Sequence, residues 1–151
     1  PEECRLPMKF GVARPLRDFS FVNEGSGFDM LNSSFFEDFL AQRTDGWVGD
    51  VHYCHIYSSN GASDWTDYRS YFEEVYWEGH ESFVAVDTIG LLVDLNEGSL
   101  TVYKNGRRLG VAKNGLAGEY CFFTGLGARG INEVSIKRGT PPPGEARWGE
   151  I

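Results

Sequence analysis

His52, Cys54 and His55 carry the ligand types that zinc prefers, packed into one short segment. On a strand, positions 52 and 54 share a face while 55 points away. That leaves a pair of close ligands, with Cys4 and His80 distant in sequence. A structural zinc site takes about four ligands. The segment therefore reads as half-buried strand, with no metal and no cofactor expected. A second chemistry to weigh is glycoside hydrolysis, in which paired carboxylates flank a sugar and aromatic faces stack on its ring. Asp64 and Asp67 form one acidic group, Glu73, Glu74, Glu78 and Glu81 another, and Trp47, Trp65 and Trp77 offer ring faces. No pair of these acids alternates along one clear strand. They read as solvated acids on an aromatic-rich surface.

Other catalytic patterns are absent from the sequence: there is no Gly-x-Ser-x-Gly elbow, no His-Glu-x-x-His and no P-loop. Gly125, Gly127 and Gly130 follow a strand but lead into another apolar-alternating run, so no helix N-terminus awaits a phosphate. Cys121, beside Phe122 and Phe123, lacks a nearby base and reads as an inert core residue. The chain is expected not to be an enzyme.

The aromatic-acidic stretch 65–77 is the best binding candidate. Trp65, Tyr68, Tyr71, Phe72, Tyr76 and Trp77 exceed what loop filler requires. Part of this set must be core; the remainder would form a contact surface, because Tyr and Trp supply area at little entropy cost.

The elements that would position these residues are strands. Aromatics make up 15% of the 151 residues and glycine occurs 19 times, a mixture that favours strands joined by tight turns. Residues 8–14 read as a strand with Met8, Phe10 and Val12 on one face, ended by Pro15; 18–22 reads as a short second strand. Ser33 or Ser34 is expected to cap a short helix over 35–43 with Phe35, Phe36, Phe39 and Leu40 as its buried stripe. Residues 51–57 read as a strand, and 64–79 as a mixture of strand and loop.

The last third is clearer. Ile89, Leu91, Val93 and Leu95 share one face of a strand; Leu100 and Val102 point inward from the next; Leu109 and Val111 return to the core. Asn105-Gly106 between the latter two is a strong hairpin signal, since both residues tolerate the positive φ of a type I′ turn. Strands follow at 119–124 and 133–138, the latter with Val134 and Ile136 inward. This spacing predicts an antiparallel sandwich or barrel.

Asp94-Leu95, Gly98, Leu100-Thr101-Val102-Tyr103-Lys104-Asn105-Gly106 and Leu109-Gly110 resemble the central signature of SPRY/B30.2 domains. Gly115 to Tyr120, the closing run 133–137 and the early Lys9-Phe10-Gly11-Val12-Ala13-Arg14 are similar to family segments as well. The resemblance spans residues 8–138 and is most specific over 87–138. It implies an all-β, concanavalin-like antiparallel β-sandwich with one short helix, and recognition of a protein partner by loops at one edge. The chain departs from the family pattern in its short segment before Lys9 and its long insertion from Asp18 to Asp64.

On this reading residues 1–139 form one SPRY-like sandwich, lacking strands that the family carries upstream, and 140–151 form a Pro-rich extended tail with Trp148 as its apolar anchor. The expected partner site combines Trp65, Tyr68 and Trp77 with Leu126 and Arg129 of the loop after the penultimate strand. A structural subunit of a larger assembly and a lectin-like carbohydrate binder are the alternatives. The net charge of −8 argues against nucleic acid and anionic membrane surfaces, and Lys104, Arg107 and Arg108 read as a solvated hairpin tip. No run approaches the ~20 apolar residues of a membrane span, so no membrane insertion is expected. Cys4, Cys54 and Cys121 are expected to be free thiols, which favours a reducing intracellular compartment. Because a missing edge leaves backbone groups without partners, the chain is expected to belong to a longer polypeptide or to sit beside a neighbour that completes the sheet.

Overall fold

The computed structural model describes residues 8–22, 29–125 and 134–140. In chain order the strands are β1 (Lys9–Ala13), β2 (Trp47–Val48), β3 (Tyr53–Tyr57), β4 (Ser63–Thr66), β5 (Tyr71–Val75), β6 (Ile89–Asp94), β7 (Ser99–Lys104), β8 (Arg107–Asn114), β9 (Ala117–Gly118) and β10 (Cys121–Gly125). One short helix, α1 (Phe36–Leu40), follows a 3-10 turn at Ser33–Phe35. The strands form a five-stranded sheet in the order β10-β1-β3-β4-β5, a three-stranded sheet β6-β7-β8, and a small ribbon of β2 with β9. Every pairing described is antiparallel. The fold is thus all-β and sandwich-like, with a single short helix among the described residues. Among the described residues no helix is long and apolar enough to cross a membrane.

Alternation along the strands decides what each sheet face buries. Phe10, Val12, Cys54 and Ile56 point from the five-stranded sheet toward Leu100, Val102 and Ala112 of the three-stranded sheet, forming the main core with Val51, Trp77, Phe83 and Leu116. Ala13 and Tyr53 point the other way, onto Phe36, Phe39, Trp47 and Tyr68. The helix and its flanking loops are therefore a third layer, laid on the outer face of the larger sheet.

The meander over 89–114 follows the sequence reading. Asn105 and Gly106 have φ of 52° and 80°, as a type I′ turn requires. Gly110, at φ 150°, lies where an added Cβ would sit 2.5 Å from the Glu78 carbonyl oxygen. Two register shifts, between Leu100/Thr101 and Val102/Tyr103, each add one residue to β8. They rotate the phase of the strand, so that Ala112 enters the core while Val111, expected inward, is half-buried.

Other expectations are corrected. Leu95 does not share the inward face of β6; it lies in the turn and is 53% exposed. Residues 18–22 form no strand, because the Gln42 side chain accepts from the backbone N–H groups of Arg17 and Asp18 and a turn closes at Phe19–Val22. The helix is shorter than 35–43, and its entry is capped by Asn32, whose side chain accepts from Ser34 N, rather than by a serine. Phe36 and Phe39 are buried, with Phe35 and Leu40 packed partly against them. Cys121 is exposed, not core, because β10 is an edge strand. Residues 134–140 form no strand, and Val134 and Ile136 are 36% and 76% exposed, since no described sheet edge pairs with them.

Candidate partner-binding surface

The metal-like trio is dispersed by the fold. Cys54 sits in the main core, where burial pushes its thiol up to about 12. His55, on the opposite face of β3, is fully buried; its Nδ1 lies 2.8 Å from Tyr53 OH and its Nε2 lies 3.4 Å from Asp64 Oδ2. His52 precedes β3 and turns away from Cys54, toward Trp47 and Tyr68. Both histidines are fully buried rather than half-buried. Burial pulls His52 down to about 4, helped by Arg14, and His55 down to about 3. Neutral His52 accepts from Arg14 Nε at 3.1 Å. Among the described residues no group of three or more His, Cys, Asp or Glu side chains is placed to hold a metal.

Asp64 and Asp67 are engaged in separate structural bonds. Asp64 is buried and accepts from Tyr57 OH at 2.9 Å. Asp67 is half-buried and accepts from the backbone N–H groups of Arg69 and Ser70, fixing a turn. The basic hairpin tip is neutralised locally: Arg107 bridges Glu81 at 2.8 Å, and Lys104 lies 3.5 Å from Glu81 and 3.9 Å from Asp87.

The expected anchors serve the cores. Tyr68, at φ 58°, is 1% exposed in the aromatic layer, and Trp77 is 7% exposed in the main core, donating Nε1–H to the Gly61 carbonyl at 2.7 Å. Trp65 is half-buried, stacked on Phe72 at 4.0 Å, with Lys113 Nζ 4.2 Å from its ring centroid. These three are not brought together: Tyr68 lies on one side of the sheet and the two tryptophans on the other. Leu126 and Arg129 lie outside the described residues.

The exposed apolar groups that the sequence reading missed lie just downstream. Residues 76–88 cross one end of the sandwich as a strap. Trp77 and Phe83 plug the core beneath it, and Phe83 meets Phe10 edge-on at 5.2 Å. The strap is pinned by Phe83 N to the Ser58 carbonyl at 2.7 Å and by Lys104 Nζ to the Ser82 carbonyl at 3.0 Å. A turn then closes at Val84–Asp87: Asp87 N donates to the Val84 carbonyl, Asp87 Oδ2 accepts from Val84 N, and Asp87 Oδ1 accepts from Asn105 Nδ2. At its tip Val84 and Val86 are 64% and 89% exposed. Tyr76, at the start of the strap, is 58% exposed and packs its ring on His80 at 4.8 Å. β1 begins and β10 ends at this same end of the sheet, Lys9 standing opposite Gly125. The signal available in the sequence was Val84-Ala85-Val86 between a core Phe and an acid, too short to carry a period.

The surface thus presents apolar tips on a turn whose backbone is held from several sides. No family model matches the chain, and no curated protein matches it.

Proposed function

We propose that the chain is a non-catalytic protein-interaction module of the SPRY/B30.2 type, which holds its partner at the end of the sandwich crossed by the 76–88 strap. The single observation that carries this reading is the pinned turn at Val84–Asp87, with Val84 and Val86 presented to solvent. A contact loop ordered before binding loses little further entropy on binding, so exposed apolar area converts to affinity more fully. The resemblance over Asp94 to Gly110 supports the same reading, because it implies recognition through loops at one edge. Tyr76 extends the surface, and the resemblance implies that Leu126 and Arg129 contribute to the same contact.

The test is selection of peptides from a random display library on the immobilised protein, followed by affinity measurement on the double variant Val84→Asp/Val86→Asp. Binding should weaken about thirtyfold or more, the loss of roughly 2 kcal/mol expected for a hot spot. The melting temperature should be unchanged, because both side chains are exposed. Selected peptides that bind the variant equally well would overturn the reading, and so would enrichment of glycans on an array with no peptide enriched.

A further inference from the structure

Among the described residues the two sheets are open along one flank. β10 is the outer strand of the larger sheet and β6 the outer strand of the smaller one, and both border this flank. Between them runs a cleft of about 180 Å³ lined by Val12, Val93, Leu95, Tyr120, Cys121 and Phe122. Phe122 stands opposite Val12 in the β1–β10 ladder and so points toward the interior side of the sheet. Val12 is fully buried there, yet Phe122 is 55% exposed and Leu95 is 53% exposed. An edge strand with unpaired backbone groups and an uncovered apolar ring is a template for another strand.

The same chain displays a segment of matching chemistry. Val134 and Ile136 alternate, as the apolar face of a strand does, and they are 36% and 76% exposed. Residues 134–140 form no strand in the structure, so this segment does not itself pair with β10. Run antiparallel along β10, residues 134–138 would bring Val134 and Ile136 to the Phe122 side. Lys137 and Arg138 would arrive at the other end of β10, near Asp94, Glu97 and Glu119. None of the described ion pairs engages these three acids. The eight residues 126–133 can span up to about 28 Å, enough to reach a neighbouring molecule.

We propose that a second copy of this chain donates residues 134–138 as an added strand on the free edge of β10, placing Val134 and Ile136 over Phe122 and Leu95. Reciprocal donation closes a two-fold dimer, the most economical symmetric arrangement. This proposal concerns the flank and not the strap-crossed end, so it stands or falls independently of the partner reading.

Sedimentation equilibrium of the full chain, from low micromolar to near-millimolar concentration, tests it with Phe122→Asp and Ile136→Asp. Both side chains are exposed, and thermal melting of each variant checks that the fold persists. The wild type should self-associate, and each variant alone should do so at least about tenfold more weakly. An equimolar mixture of the variants should recover association, because one molecule keeps an intact flank and the other an intact donor. A monomeric wild type would overturn the proposal and point to the segment folding back on its own flank. Self-association that survives Ile136→Asp, or a mixture that recovers nothing, would overturn it as well.

Discussion

The two faces of the five-stranded sheet are both buried, but they are buried by different physics. The face toward the smaller sheet is almost wholly apolar: Phe10, Val12, Ile56, Leu100 and Val102 meet across it. The helix side mixes aromatics with buried polar groups: His55 and Asp64 beneath the layer, and His52, held by Arg14, against Trp47 and Tyr68 at its edge. Apolar contacts are non-directional and tolerate repacking. A buried polar group is tolerated only with its partners in place. The first face should therefore yield gradually to substitution, and the second abruptly.

Arg14 offers the largest expected effect. It is 1% exposed and lacks a described carboxylate partner. Its guanidinium donates instead to the carbonyls of Ala117 at 2.6 Å, Glu119 at 2.9 Å and Val48, and to His52 Nδ1; it also lies 4.2 Å from the centroid of the Tyr120 ring. These bonds tie β1 to the β2–β9 ribbon. Arg14→Ala orphans several buried acceptors at once and should cost about 4 kcal/mol. Leu100→Ala, from the centre of the apolar face, leaves a cavity and should cost about 3 kcal/mol. Urea denaturation gives both values. A smaller loss for Arg14→Ala than for Leu100→Ala would break the contrast.

Acid should also separate the faces. Burial holds His52 at about 4 and His55 at about 3, below the ordinary value of about 6.5 that both take in the unfolded chain. Between those limits the unfolded state binds more protons, so stability rises with pH. The contribution is complete above about pH 6.5 and is lost as pH falls through about 4 and then 3. For His52 the pKa difference corresponds to about 3 kcal/mol at most. Denaturation midpoints measured from pH 7 to pH 4 should fall steadily. His52→Gln should flatten that slope whatever it costs at neutral pH, and an unchanged slope would mean that His52 is not the group titrating.

What was legible in the sequence follows the same division. The meander over 89–114 could be read because alternation and an Asn-Gly turn are local signals. The third layer could not be read in detail. Gln42 binding the backbone of Arg17 and Asp18 abolishes an expected strand across a long separation in sequence, and nothing near residue 18 announces it. The phase change in β8 arises from register shifts that a periodic reading cannot see. Trp65, Tyr68 and Trp77 were singled out by type. Whether an aromatic ring faces a core or solvent depends on which layer covers it, and that covering comes from distant residues. The exposed Val84 and Val86 were passed over because a two-residue tip carries no pattern.

The smallest expected effect probes one bond of the polar face. Tyr53 is 2% exposed, and its hydroxyl lies 2.8 Å from His55 Nδ1. The Asp64 carboxylate 3.4 Å from Nε2 favours the neutral tautomer with its proton there, which leaves Nδ1 to accept from the Tyr53 O–H. Tyr53→Phe keeps the ring and its stack on Phe123 at 4.9 Å, and removes only this hydrogen bond. The loss should be about 1 kcal/mol at neutral pH. Protonated His55 cannot accept at Nδ1, so the bond favours the neutral ring, and its removal should raise the His55 midpoint from about 3 toward the ordinary value. The His55 ring-proton shift, followed by NMR between pH 7 and the onset of unfolding, reads that movement directly. If the midpoint stayed put while stability fell, Tyr53 would be holding the aromatic stack and not the charge state of His55.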